Sequence, residues 1–296
     1  MDLREFQLTA ATTDQVPLPH ENAMIVPLLG LVGEAGVLLS EYKKYLRDGE
    51  AHRLLRARVA EELGDLLWYV SNVATKFDLD LDTVAADNLA KTKDRWALRY
   101  GAPGAANAFD GEAPLDQRFP RQFEVSFIEQ AIGGRVVTEI FVGDVAIGDR
   151  LTDNSYSDDG YRYHDVFHLS YATVLGWSPV IRKIAKAWKR KYLAKVDEVE
   201  DGGRAQVVDE AIAALVFAYA SNHGYLENVS TIDFGLLQTI RLLTRGFEVE
   251  RVGLGEWERA ILLGFSTWRQ LVANRGGRVL VDLDARTMTY LSPAVA

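Results

Sequence analysis

The fold of the N-terminal third is decided by residues 59–73, which read VAEELGDLLWYVSNV. Apolar side chains recur there every three or four residues, which is the period of an amphipathic helix. Two acids, Glu62 and Asp65, lie in line with the apolar stripe rather than opposite to it. A surface helix normally directs its acids away from its apolar face. Because a buried carboxylate is costly unless it is paired or bound to a metal, this helix is predicted to carry a site.

A second predicted helix, upstream of the first, repeats this arrangement. Glu34 and Glu41 share one helical stripe with Leu31 and Leu38, at spacings of three, four and three residues. Carboxylates from two antiparallel helices can bind Mg²⁺, which prefers oxygen ligands in octahedral geometry. The alternative is that each acid is solvated and pairs with a nearby lysine or arginine. We favour the metal site because four acids share two apolar stripes.

Composition limits the classes of protein and of site that remain. The chain has 296 residues, of which 48% are hydrophobic and 25% charged, and its net charge is −9. This length predicts two domains. The sequence contains no cysteine, which excludes disulfides, thiolate zinc sites and a cysteine nucleophile. Any metal must therefore be bound by oxygen or imidazole ligands. The negative charge argues against a nucleic-acid partner.

The predicted fold class is mainly α, in two domains. Residues 1–104 are predicted to form an all-α four-helix bundle. A stretch rich in glycine and proline, 105–120, is predicted to be a linker. Residues 121–296 are predicted to form a helical α+β domain with short β-hairpins.

The C-terminal domain contains two candidate hairpins. Two β-like runs, 123–128 and 135–142, flank Gly133 and Gly134, which predicts a tight hairpin turn. A second hairpin is predicted from residues 278–291. Helices are predicted near residues 161–176, 206–222, 231–245 and 255–274.

The start of the chain and its apolar runs bear on localisation. The first residues are charged and lack the apolar core of a signal peptide. The best apolar run, 211–220, has about half the length that a membrane span requires. We therefore expect a cytoplasmic protein with no membrane partner.

Four short motifs resemble one known family. They are LGLVGEAG at 29–36, EELGDLLWY at 61–69, NLAK at 88–91, and Arg95-Trp96. In order and spacing they resemble the MazG-type all-α nucleoside triphosphate pyrophosphohydrolases. The resemblance covers roughly residues 3–100, a third of the chain.

The resemblance implies an enzyme that hydrolyses an NTP or dNTP to the monophosphate and pyrophosphate. It implies Mg²⁺ as cofactor, with Mn²⁺ as an alternative, and a homo-oligomer of two or more copies. The implied metal ligands are Glu34, Glu62 and Asp65, to which the stripe analysis adds Glu41. The candidate catalytic residues are Glu34, Glu62, Asp65 and Lys91, and the candidate substrate-binding residues are Lys44, Trp68, Asn88, Lys91 and Arg95.

One position departs from the family pattern. The first family motif is usually Glu-x-x-Glu, but Val37 stands where the second acid is expected. Glu41 lies on the same stripe as Glu34 and is a candidate replacement. If Glu41 does not compensate, the domain is a nucleotide-sensing module with weakened catalysis. The retention of Glu62, Asp65 and Lys91 favours an active enzyme.

The C-terminal domain carries a separate candidate metal site. His164 and His168 are four residues apart, which is a known metal-ligand spacing on a helix, and Asp165 lies between them. The three residues predict a second metal site with its own hydrolytic activity. The alternative is a pair of histidines hydrogen-bonded inside a packed domain. Separately, Glu210 lies in a helix that faintly resembles residues 59–72, through a decayed repeat or by chance.

A basic run lies between residues 182 and 195. It contains seven lysines and arginines. We expect a solvated helix face, with contacts to phosphates as the alternative.

Overall fold

A computed structural model describes residues 1–100 and 109–293, without the side chains of residues 95–100. The chain divides into two compact units, residues 1–93 and 94–296. The first unit is helical. The second combines helices with one antiparallel sheet, and the predicted fold class is confirmed.

Four helices make up the described N-terminal region. They are α1 (Leu3–Ala11), α2 (Ile25–Asp48), α3 (Leu55–Lys76) and α4 (Leu81–Tyr100). Both α1 and α2 pack against α3. The Asp2 carboxylate accepts a hydrogen bond from the Glu5 backbone N–H at 2.7 Å and so caps α1.

The close approach of α2 to α3 depends on a glycine. A Cβ added to Gly30 would lie 2.2 Å from a ring carbon of Tyr69, so only a glycine fits against this ring. Glu34 follows Gly30 by about one helical turn, and Asp65 precedes Tyr69 by about one turn. The contact therefore sets the level at which the acids of the two helices meet.

One glutamine ties α1 to the turn between α3 and α4. Gln7 Nε2 donates to the Leu79 carbonyl at 2.8 Å, and Gln7 Oε1 accepts from the Leu81 backbone N–H at 3.0 Å. These hydrogen bonds satisfy backbone groups at the start of α4 that no helical partner reaches.

Helix α2 has two unlike faces. Gly30, Glu34 and Glu41 lie on one side. The opposite side carries a stripe of apolar side chains that are 64–72% exposed, which we call the α2 apolar stripe. It consists of Leu29, Val32, Leu39 and Leu46.

The exposed apolar surface of α2 bears on the prediction that no apolar stretch is long enough to cross a membrane. By length and composition alone, the helical stretch Ile25–Ala51 could cross a membrane, and only a small part of it is buried. On that criterion the prediction that no stretch is long enough is wrong. The apolar run is interrupted in sequence by Glu34 and several glycines, which hid it from a search for continuous apolar residues.

The second unit contains a five-stranded antiparallel sheet. The strands are β1 (Gln122–Ile132), β2 (Arg135–Val142), β3 (Val145–Leu151), β4 (Gly276–Asp282) and β5 (Thr287–Leu291). Their order in the sheet is β3-β2-β1-β4-β5. The buried face of the sheet includes Val125 and Phe127 of β1 and Val279 and Val281 of β4.

Both predicted hairpins are present. Ile132 pairs with Arg135, and the intervening Gly133 and Gly134 have φ values of 58° and 77°. Positive φ at both central residues matches the twist of a two-residue hairpin, which explains the glycine pair. Strand β3, in a stretch not predicted as strand, pairs with β2 and extends the sheet at that edge.

Five helices of the second unit are α5 (Asp165–Leu175), α6 (Pro179–Ile184), α7 (Gly203–Ser221), α8 (Phe234–Leu243) and α9 (Leu254–Asn274). Helix α5 is buried along its whole length and packs against α9, which also contacts β4 and β5. The rings of Phe167 and Phe265 stack between α5 and α9, with centroids 4.4 Å apart.

The predicted basic helix face differs from the structure at two of its members. Arg182 and Arg190 are 1% exposed. Arg182 Nη2 lies 3.1 Å from Asp110 Oδ2, and Arg190 Nη2 lies 2.7 Å from Asp201 Oδ1. Each buried arginine is paired with an acid, so these residues belong to the core of the unit instead of facing solvent.

The predicted linker also differs from the structure over its described part. Residues 109–120 belong to the second unit, and Phe109, Asp110 and Phe119 are buried there. Asp110 Oδ2 accepts from the Phe119 backbone N–H at 2.9 Å and pairs with Arg182. Glycine and proline therefore mark a packed irregular segment in this region. Residues 105–108 lie outside the described residues.

Candidate metal centre

Three acids of the N-terminal unit converge between α2 and α3. One carboxylate oxygen from each of Glu34, Glu62 and Asp65 lies within 4.8 Å of the others. Glu62 is buried, Glu34 is half-buried and Asp65 is exposed, so the group is open to solvent on one side. We call these residues the carboxylate triad. The structure thus brings together three of the four predicted metal ligands.

The three carboxyl groups of the triad lie close together and carry like charges when ionised. Burial raises the pKa of Glu62, and the adjacent Glu34 carboxyl raises it further by its negative charge and a hydrogen bond. The charge of Asp65 acts in the same direction. Proximity of carboxylates favours protonation of one member unless a cation neutralises them.

The triad fits a hard divalent cation. Its donor atoms are all carboxylate oxygens, which suit Mg²⁺ or Mn²⁺. Mg²⁺ usually keeps several waters, and the exposed side at Asp65 leaves room for water and for a charged substrate. A cation would relieve the mutual repulsion of the three acids, so the triad is chemically consistent with a metal site.

Glu41, the fourth predicted ligand, lies elsewhere. It is 6% exposed, forms an ion pair with Lys44, and its Oε2 lies 3.1 Å from His52 Nε2. Glu41 follows Glu34 by seven residues, which corresponds to about 10 Å along a helix. This placement does not support the expectation that Glu41 replaces the acid missing at Val37. Glu41 instead joins the end of α2 to the following turn.

The pairing of Glu41 also concerns Lys44, a predicted substrate-binding residue. Lys44 is half-exposed, and its ammonium group contacts the Glu41 carboxylate, which lowers the pKa of Glu41. A substrate phosphate would have to compete with that carboxylate for Lys44.

The other predicted substrate-binding residues are distributed over α3 and α4. Trp68 Nε1 donates to Thr13 Oγ1 at 2.8 Å, which fixes the indole against the segment after α1. Asn88 is exposed on α4, and its Oδ1 lies 3.5 Å from Thr92 Oγ1. Lys91 is exposed one turn further along. The side chain of Arg95 lies outside the described residues.

The second predicted site is partly assembled in the C-terminal unit. His164 and His168 converge with Glu210 of α7, and one ligand atom from each lies within 4.8 Å of the others. Asp165 is buried beside them, with Oδ1 3.6 Å from His164 Nε2. Glu210 was singled out from the sequence only for its helix pattern, because it lies more than forty residues from the histidines and no local spacing connects them.

Two family models match the chain. A model described as the MazG C-terminal domain matches residues 104–294, which is more than half of the chain. A model described as the MazG nucleotide pyrophosphohydrolase domain matches residues 28–97. The second match contains the carboxylate triad.

One similar protein is the Gene 37 protein of Mycobacterium phage L5. It is 44% identical over 69 residues, which cover 23% of this chain and 60% of that protein. The chain therefore spans less than two thirds of the length of this relative. No solved structure shows a significant match.

Proposed function

The chain belongs to the MazG family of nucleotide pyrophosphohydrolases, and from that premise we propose that it hydrolyses nucleoside triphosphates with Mg²⁺. The products would be a nucleoside monophosphate and pyrophosphate, from an NTP or a dNTP. The proposed role is to clean or regulate the nucleotide pool. The observation that carries the proposal is the carboxylate triad.

The triad residues would hold the metal from two helices. Glu34 would supply an oxygen from α2, and Glu62 and Asp65 would supply oxygens from successive turns of α3. A divalent ion held by these oxygens would supply Lewis-acid stabilisation of the phosphate charge. The burial of Glu62 limits its motion, so this carboxylate is held in place before metal and substrate arrive.

Exposed side chains of the N-terminal unit would bind the parts of the substrate that the metal does not contact. A lysine such as Lys91 can neutralise phosphate charge, and Asn88 can hydrogen-bond sugar or phosphate oxygens. Both are exposed on α4, one turn apart. An aromatic ring such as Trp68 can pack against a base. Lys44 and Arg95 complete the proposed binding set.

A hydrolysis panel tests the proposal. Purified full-length protein is incubated with Mg²⁺ or Mn²⁺ and each common NTP and dNTP, and the products are separated by chromatography. We expect monophosphate plus pyrophosphate, no turnover after chelation, and no turnover in Asp65→Asn. Release of orthophosphate as the first product, or full activity of folded Asp65→Asn, would overturn the proposal.

A nucleotide-sensing module is the second candidate function. Val37 stands where the family has an acid, it is 42% exposed, and Glu41 pairs with Lys44 and His52 instead. With three acids the ion would be held less tightly than with four. Nucleotide binding measured by calorimetry, together with an absence of turnover on every nucleotide, would favour the sensor over the enzyme.

We also propose that the protein is a cytoplasmic homo-oligomer. An exposed apolar surface such as the α2 apolar stripe is typical of an interaction site, and a second copy of α2 offers a complementary apolar surface. The opposite face of the same helix holds acids that would be costly in a bilayer. A membrane partner and a nucleic-acid partner form no part of the proposal.

The oligomer is tested by light scattering coupled to size-exclusion chromatography. We expect the unmodified protein to be a dimer or larger and Leu39→Glu to dissociate. Leu115→Glu, at an exposed position of the other unit, is the matched control and should leave the mass unchanged. A monomeric unmodified protein at all concentrations would contradict the proposal.

A further inference from the structure

Two histidines and a glutamate form a compact group in the C-terminal unit, remote in sequence from the carboxylate triad. His168 Nε2 lies 3.3 Å from Glu210 Oε2, and His164 Nε2 lies 3.8 Å from the same oxygen. Each ring therefore directs its Nε2 atom toward the Glu210 carboxylate. We call His164, His168 and Glu210 the histidine group.

The other ring nitrogen of each histidine faces a hydrogen-bond acceptor. His168 Nδ1 lies 2.8 Å from Asp209 Oδ1, and His164 Nδ1 lies 2.9 Å from the Tyr161 carbonyl oxygen. When a neutral ring donates its hydrogen from Nδ1 to this acceptor, its Nε2 lone pair is available to a metal on the side that faces Glu210. This is the arrangement in which metal-binding histidines are usually held, with a carboxylate or a carbonyl behind each ring.

The residues that supply the acceptors at Nδ1, Asp209 and Tyr161, are themselves held in place. Asp209 is fully buried, and its Oδ2 accepts hydrogen bonds from Ser178 Oγ at 2.6 Å and from the Val180 backbone N–H at 3.1 Å. The ring of Tyr161 stacks on that of His164 with centroids 4.5 Å apart and planes inclined by 5°. Ring positions and orientations are thus set by packing, as a preformed site requires.

The distance between His168 and Glu210 fits two ligands around one ion. A charge-assisted hydrogen bond between nitrogen and oxygen normally spans about 2.7–2.9 Å. The His168–Glu210 separation of 3.3 Å is longer than that. Two ligands at about 2.0–2.1 Å from a tetrahedral ion lie roughly 3.3–3.4 Å apart. The separation of 3.3 Å matches this spacing, and the His164–Glu210 separation of 3.8 Å is somewhat longer.

The histidine group also has a route for an ion. His168 is fully buried, but the Glu210 side chain is 49% exposed, so solvent reaches the group from the α7 side. Asp165 offers a further carboxylate oxygen 3.6 Å from His164 Nε2. Imidazole with carboxylate, and no thiolate in the chain, suits divalent transition metals rather than Mg²⁺.

We propose that His164, His168 and Glu210 bind a divalent transition-metal ion of the Zn²⁺ type. Three protein ligands would leave the fourth position of a tetrahedral ion to water or another ligand. The C-terminal unit would then hold a metal different from that of the N-terminal unit, because the two donor sets differ. The inference is independent of the proposed hydrolysis.

Zinc titration of the metal-free full-length protein tests this site. Calorimetry is carried out with excess Mg²⁺, which occupies oxygen-only sites, and Co²⁺ provides a visible absorption signal that reports nitrogen ligation. We expect one strong site, weakened by more than about 10-fold in Glu210→Gln and in His164→Gln. The matched controls are Glu227→Gln and His223→Gln, at exposed positions of the same unit, which should bind as the unmodified protein does.

The choice of variants keeps the test decisive. Glu210→Gln is isosteric at a half-exposed position, so the fold is retained, which a thermal melt without metal confirms. We also expect Zn²⁺ to raise the melting temperature of the unmodified protein but not of Glu210→Gln. An absence of strong Zn²⁺ binding, or binding that survives both Glu210→Gln and His164→Gln, would overturn the proposal.

Discussion

Two groups of charged side chains, one in each unit, are assembled in opposite ways. In the C-terminal unit, the buried Arg182 and Arg190 each meet acids of opposite charge. In the N-terminal unit, Glu62 meets Glu34 and Asp65, which carry the same charge. In a buried pair of opposite charges each group has its counter-charge within the fold, so the loss of one partner is costly, whereas a group of like charges lacks its counter-ion until a cation binds. The first arrangement is structural, and the second is that of a metal site.

The largest expected effect concerns the buried arginines. Arg190→Met leaves Asp201 and Glu248 without their partner, so we expect the free energy of unfolding of the C-terminal unit to fall by about 3–5 kcal/mol. Urea unfolding measures the change. Arg58→Met removes the exposed ion pair with Glu61 in the N-terminal unit and should change little. Equal effects of the two variants on the free energy of unfolding would contradict the structural role assigned to the buried arginine pairs.

A smaller effect is expected where α2 approaches α3. Gly30→Ala places a methyl group against the Tyr69 ring and should destabilise the N-terminal unit by about 1–3 kcal/mol, measured by thermal unfolding. Gly33→Ala meets open space one turn along the same helix. That control should instead stabilise the helix by up to about 1 kcal/mol. Stabilisation by both variants would show that the helices approach less closely than described.

The smallest expected effect is a pH dependence from the triad. A raised pKa of Glu62 means that the fold favours the protonated acid, so its contribution to stability is full at low pH and falls as pH rises through the folded-state pKa. With metals chelated, Glu62→Gln should therefore raise the melting temperature at pH 7. The gain should vanish at acidic pH, where Glu62 itself is neutral. A lower melting temperature at pH 7 would contradict the like-charge account.

Local pattern was sufficient for much of the fold and for the triad. The periodicity of α2 and α3 placed Glu34, Glu62 and Asp65 on stripes that meet in the structure, although α2 also exposes apolar side chains on its other face. The Gly133-Gly134 turn likewise predicted its hairpin. In these cases the information lies within one helix or one turn.

Features that depend on distant partners were missed. Strand β3 contains Gly148 and only one buried apolar residue, Ile147, so its pairing with β2 decides its structure. The six-residue α6 is too short to show a helical period. Glu210 meets His168 across 42 residues of sequence, and Asp110 meets Arg182 across 72. No local spacing reports such contacts.

The most direct test of the account compares two adjacent glutamates of α3. Glu62 belongs to the carboxylate triad, whereas Glu61 is exposed and pairs with Arg58. Turnover of the best nucleoside triphosphate with Mg²⁺ is measured for Glu62→Gln and Glu61→Gln. We predict a loss of more than about 100-fold for Glu62→Gln, since even partners behind a metal ligand are worth about 10- to 100-fold, and near-normal turnover for Glu61→Gln. Normal turnover in a folded Glu62→Gln protein would contradict a metal-dependent centre at the triad.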